Sequence, residues 1–131
     1  MGGANVEERL PSGEELYIRI HKQYIKPRGF SGGFKPVSGG ISADRSSRCE
    51  PRETRARPRK GVSPAEDYGV VVVTVGSVEL IPGLKVLPAP LAENPAHVDI
   101  RDNLKDLRYL TMVRSRLESA VSRWALIPGD P

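Results

Sequence analysis

Residues 68–100 read YGVVVVTVGSVELIPGLKVLPAPLAENPAHVDI, and the folding of this stretch decides the rest of the chain. Val70 to Val75 is a near-continuous β-branched run, the pattern of a central strand covered on both faces. Gly76 punctuates it. Val78 to Ile81 predicts a second extended piece that stops at the turn pair Pro82-Gly83, and Leu84 to Leu87 predicts a third. Together the three predict a small antiparallel meander. Pro88, Pro90 and Pro95 lack the N–H that a sheet ladder requires, so the residues between them are expected outside a sheet interior. Asn94-Pro95 then turns the chain into Ala96–Ile100, where Ala96, Val98 and Ile100 alternate with His97 and Asp99 as in a short final strand.

Upstream, Glu14 to Ile25 reads EELYIRIHKQYI. Leu16, Ile18 and Ile20 alternate with Tyr17, Arg19 and His21, so a half-buried strand over Leu16–Ile25 carries Arg19 and His21 on its outer face. Residues 1–13 are small, charged and turn-forming, which predicts a flexible N-terminal tail. Lys26 to Gly40 is loop by composition, with Phe30 and Phe34 as its anchors. Its glycines match neither nucleotide-binding fingerprint.

Ile41 to Lys60, ISADRSSRCEPRETRARPRK, carries seven basic side chains against three acidic ones. That surplus equals the net charge of the whole chain, +4. With Pro51 and Pro58 and no apolar periodicity, this basic segment is expected to be an exposed loop. Two uses suit it: contact with an acidic partner, or contact with phosphates through Arg45, Arg48, Arg52, Arg55, Arg57, Arg59 and Lys60. No aromatic residue interleaves with these arginines, so the base-stacking element of single-strand binders is missing. Cys49 lies among them and is expected as an incidental exposed thiol, since no base is predicted beside it.

Downstream, Leu107, Leu110, Val113, Leu117, Ala120, Val121 and Trp124 follow three-and-four spacing. They predict an amphipathic helix from about Leu104 to Leu126, capped by Asp102 or Asn103 and ended by Pro128-Gly129. Lys105, Arg116 and Arg123 would share one flank of it, as a solvated face or as further phosphate contacts.

At 131 residues there is room for one domain, expected over 14–131. A single cysteine excludes an intramolecular disulfide and a multi-cysteine zinc site, and it suits a reducing compartment. The start of the chain does not have the layout of a signal peptide, and no apolar run has the length of a membrane span. The expectation is a cytoplasmic protein with no membrane contact, no metal and no cofactor.

Leu16–His21 (LYIRIH) and Pro90–Ile100 (PLAENPAHVDI) give the chain a resemblance to a family of small uncharacterised bacterial proteins. Its members open with LYRRIH, continue with a Ser-Val-Asp element and close with PENPAH before a terminal helix. Ile41–Asp44 resembles the middle element with Ala43 in place of valine; Ile18 replaces an arginine, and Ala92 is inserted before Glu93. The resemblance spans most of residues 15–125 and implies one recurring domain without an assigned activity.

The chemistry-bearing candidates are few. His21 and His97 stand on polar strand faces, and with Asp99 they would form a general base or ligand pair if their strands were neighbours; Ser42, Asp44 and Glu93 are the available third groups. Arg19 or His21, Ser42 and Glu93, taken on three successive strands, resemble the triad of ADP-ribosyltransferase-like domains. The expectation is therefore an α+β domain, a mostly antiparallel sheet packed against one C-terminal helix with long irregular loops. Its leading role is a non-enzymatic interaction module or accessory subunit that binds a protein partner through those loops. The alternatives are a nucleic-acid-binding protein and a small enzyme.

Overall fold

Val70 to Val73 have no exposed surface at all, so the valine run does form a strand covered on both faces. The computed structural model describes residues 10–26, 29–30, 41–57, 63–102 and 107–131. In chain order they form β1 (Glu15–His21), the paired β2 (Ile25–Lys26) and β3 (Gly29–Phe30), and β4 (Ile41–Arg45). Then come α1 (Pro51–Arg55), β5 (Tyr68–Thr74), α2 (Val75–Glu79), β6 (Leu84–Pro88), β7 (His97–Asp102), α3 (Leu107–Ala120) and β8 (Arg123–Leu126). Six strands make one antiparallel sheet in the order β6-β7-β4-β1-β5-β8. The protein is thus an α+β domain over the described residues.

Alternation divides each central strand between the two faces of this sheet. Leu16, Ile18 and Ile20 of β1 join Ala43, Val71, Val73, Val98 and Ile100 in the larger core, sealed by Val75 and Val78 of α2 and by Val113 and Leu117 of α3. Tyr17, Val70 and Val72 face the other way, with Leu126. That second face is covered by α1, and Arg55 Nη1 and Arg52 Nε tie α1 to the carbonyls of Asp130 and Pro131 at 2.6 and 2.9 Å.

Several expectations are corrected. Val78–Ile81 is not a strand: Thr74 Oγ1 caps Ser77 N at 3.2 Å and starts a helical turn, on which Val75 and Val78 share a buried side. There is no meander, because β5 pairs with β1 and β8 while β6 pairs with β7. The helix predicted to run to Leu126 ends at Ala120. Ser122 donates to Val72 O through both N and Oγ (2.8 and 3.2 Å), drawing the following residues onto the free edge of β5 as β8. Arg123 therefore lies on a strand, bonded to Glu15 at 2.8 Å, and does not share a helix flank with Arg116.

The basic segment is folded over 41–57. Ile41–Arg45 is a strand inside the sheet, Pro51–Arg55 is a helix, and Asp44, Arg45, Thr54 and Arg55 are buried. Charge counts alone read these residues as solvent-facing; burial is compatible with charge when each group has a partner, as these have. At the other end, residues 10–13 are not tail-like: Leu10 packs against the core and Ser12 O accepts from Gly76 N at 2.8 Å. Expectations on residues 1–9, Phe34, Arg59, Lys60, Asn103 and Lys105, and on the side chains of Phe30, Leu107 and Leu110, lie outside what is described.

Candidate functional site

The register of β1, β4 and β7 brings Tyr17, Asp44 and His97 into one row, with Ser42 level with Asp99 two positions along. These side chains stand on the second face of the sheet. A cleft of about 380 Å³ opens there, lined by Arg19, Ser42, Asp44, Thr54, Arg57, Glu93, Asn94 and His97 together with the apolar Tyr17 and Leu91. That volume is within the range of small-molecule sites, roughly 300–1,000 Å³.

Asp44 holds the cleft's walls together. Its Oδ1 accepts from Asn94 Nδ2 at 2.8 Å, and its Oδ2 accepts from Thr54 Oγ1 at 2.8 Å and Arg57 Nε at 3.0 Å. One carboxylate thereby joins β4 to the α1 segment and to the turn before β7. Burial alone would lower the pKa of Arg57, but the hydrogen bond and charge of Asp44 outweigh it and hold the guanidinium above its ordinary value. Asn94 Oδ1 in turn accepts from Ala96 N at 3.2 Å, a turn fixed by its own side chain. Arg19 reaches across to the carbonyls of Arg57 and Arg55 (2.6 and 3.4 Å) with its guanidinium 5.0 Å from the Tyr68 ring centre.

Two serine–histidine pairs occur, and their proton arrangements are opposite. His97 Nδ1 lies 2.9 Å from Ala89 O. A carbonyl only accepts, so in the neutral ring Nδ1 carries the hydrogen, and Nε2, 3.2 Å from Ser42 Oγ, offers a lone pair to the hydroxyl. His21 Nδ1 instead accepts from Gln23 N at 3.1 Å, so its Nε2 carries the hydrogen toward Ser63 Oγ, also at 3.1 Å. Only the His97 ring is set to take a proton from its serine. Asp99 Oδ1 lies 3.6 Å from His97 Nε2, placed to pair with the ring once protonated.

Comparison with protein families, with curated proteins and with solved structures finds no match.

The expected site residues are accordingly sorted by position. His21 and His97 do not meet: β4 lies between their strands, and the register puts their Cα atoms roughly 16 Å apart. Arg19, Ser42 and Glu93 do line one cleft, though Glu93 is on the turn before β7 and not on a strand. Of the basic candidates, Arg45 is bidentate to Glu14, Arg57 is bonded to Asp44, Arg52 and Arg55 hold the C-terminal carbonyls, and Arg123 holds Glu15. Arg48 and Arg116 are exposed. Cys49 is half-buried, not an exposed thiol. It contacts Arg45 O and Thr54 Oγ1, both at 3.6 Å, and burial pushes its pKa up. Among the described residues no group of three or more His, Cys, Asp or Glu is placed to hold a metal ion, and no helix is long and apolar enough to cross a membrane.

Asn94 and Thr54 were not among the expected site residues. The Asn-Pro pair at 94–95 signalled a turn; nothing in the spacing signalled that Asn94 would reach Asp44, fifty residues away.

Proposed function

We propose that this protein is a small enzyme that binds a small polar ligand in the cleft on the second face of its sheet. The observation that carries this reading is convergence. Residues from β1, β4, α1, the turn before β7 and β7 itself line one concave site, and a buried carboxylate holds those elements in place. A cavity of this size, mostly apolar with a few convergent polar groups, is where substrate binding is expected. The interaction-module reading rested on a small core, long loops and the lack of a complete catalytic set, and over 41–57 the chain expected as such a loop is folded against the sheet.

Amide chemical shifts test the proposal. A panel of mononucleotides, nicotinamide dinucleotide, sugar phosphates and short carboxylic esters is titrated into the labelled protein; the dinucleotide is included because Arg19, Ser42 and Glu93 share the cleft. At least one class is expected to shift Ser42, Asn94 and His97 in a saturable way, and Ser42→Trp, which fills the cleft, to abolish the shift. Shifts confined to other surfaces, or unaffected by Ser42→Trp, would sink it.

A further inference from the structure

We propose that Ser42 is a nucleophile and His97 its general base, acting on a short-chain carboxylic ester or thioester. The inference deepens the cleft reading and rests on it. Its basis is the proton arrangement: Ala89 O fixes the hydrogen of His97 on Nδ1, which leaves the Nε2 lone pair facing Ser42 Oγ at 3.2 Å, within reach for proton transfer. Ser42 is exposed at the cleft while His97 is largely sheltered, with 16% of its side chain accessible. An attacking group open to the ligand and a base screened from bulk water is the order that nucleophilic catalysis requires.

The step balances. As Ser42 Oγ bonds to the acyl carbon, its proton passes to His97 Nε2, and the imidazolium formed faces Asp99 Oδ1 at 3.6 Å. The carbon–oxygen or carbon–sulfur bond to the leaving group breaks, and the departing alkoxide or thiolate takes the proton back from Nε2. Water, deprotonated by the same nitrogen, then attacks the acyl-serine; the acyl–Oγ bond breaks, Ser42 Oγ takes the proton back from Nε2, and the acid is released. Arg19 and Arg57 line the same cleft; Arg57 is paired with Asp44, so Arg19 is the guanidinium whose charge would favour a developing oxyanion. Tyr17 and Leu91 give the apolar wall that suits an acyl chain and not a highly charged group.

A fluorophosphonate probe reads this directly. Attack by Ser42 Oγ forms an oxygen–phosphorus bond and expels fluoride, with the proton going to Nε2. The expected result is one adduct, on the peptide containing Ser42 by mass spectrometry. It should be absent in Ser42→Ala and at least about 100-fold slower to form in His97→Ala, in line with the contribution of a general base. Ser63→Ala should label like the parent, because the proton of His21 faces that serine. Thermal melts of the Ser42 and His97 variants matching the parent establish that they are folded; if His97→Ala melts early, His97→Gln replaces it. No adduct on Ser42, or an adduct forming at the same rate without His97, overturns the nucleophile. If cleft amides still shift with ligand while Ser42 stays unlabelled, the nucleophile fails and the binding reading stands; if neither occurs, both fail.

Discussion

Glu14 and Arg45 form the most enclosed ion pair among the described residues, with 6% and 8% of their side chains exposed. Two oxygens of Glu14 meet Arg45 Nε at 3.1 Å each, Nη2 adds a contact at 2.9 Å, and Ser47 Oγ also donates to the carboxylate. Burial by itself raises the pKa of this carboxyl. The bonds from Arg45 and Ser47 and the charge of Arg45 outweigh burial, so the folded-state value lies below the ordinary 4.5. A depressed folded value means that the unfolded chain takes up the proton first as pH falls. The stabilisation is therefore complete above the unfolded value and is lost as pH drops through the folded one. In urea unfolding at a series of pH values, Glu14→Gln should be less stable than the parent by about 3 kcal/mol near neutrality, because it leaves Arg45 buried without its counter-charge. The two curves should converge in acid. Curves that stay parallel below pH 4.5 would show that this pair is not the acid-labile one.

Elements rather than single residues show what was legible in the chain and what was not. The valine run, β1 and β7 were legible because each has a clean apolar pattern that matches its burial. The α2 turn was hidden because Val75 reads as the end of the valine run, and Val78–Ile81, VELI, is too short to show which period it follows. What decided it was Thr74 as cap together with Glu79, whose Oε2 accepts from Val86 N on the outer edge of β6 at 3.1 Å. That contact also covers an N–H that an open sheet edge would otherwise present to another chain. β8 was hidden for a different reason: Val121 and Trp124 continue the helical spacing of α3, and only the unpaired edge of β5 makes the extended form win. β4 was hidden by its charges. The close approach of β8 and the C-terminal turn to β5 leaves room only for hydrogen at Gly69, where a Cβ would sit 2.6 Å from the Trp124 ring, 2.8 Å from Leu126 O and 2.9 Å from the Pro128 ring. Gly69→Ala is expected to destabilise the protein by about 1–3 kcal/mol, the cost of overpacking a filled site. The companion measurement is amide exchange, which should accelerate at Trp124 and Leu126 and not in β1. An unchanged unfolding midpoint would mean that β8 is not seated on β5 as described.

At the scale of the whole molecule, the sheet has one face given mainly to packing and one that bears the cleft, and the basic segment is folded onto both. Its arginines bind inward: Arg45 to Glu14, Arg57 to Asp44, and Arg52 and Arg55 to the end of the chain. The positive charge that makes the sequence look like a polyanion binder is thus largely engaged with partners inside the protein, and Arg57 among these arginines lines the cleft. A guanidinium already bidentate to a buried carboxylate would have to break that contact to meet a phosphate. This separates the enzyme reading from the nucleic-acid alternative through the dependence of affinity on salt. Each phosphate neutralised in duplex DNA contributes a slope of about −0.9 to log affinity against log salt. With Arg48, Arg52, Arg116 and Arg123 as the exposed cations among the described candidates, the slope should be no steeper than about −4, and binding should vanish at physiological ionic strength. Fluorescence anisotropy with labelled duplex and single strands, titrated from low to physiological salt, measures it. A slope near −5 or beyond would require the arginines of 45–57 to leave their carboxylate and carbonyl partners, and the cleft would then be a consequence of an empty nucleic-acid surface rather than a site in its own right. A shallow slope, with Ser42→Trp leaving it unchanged, places the residual contact on those exposed cations and keeps the second face of the sheet for a small ligand.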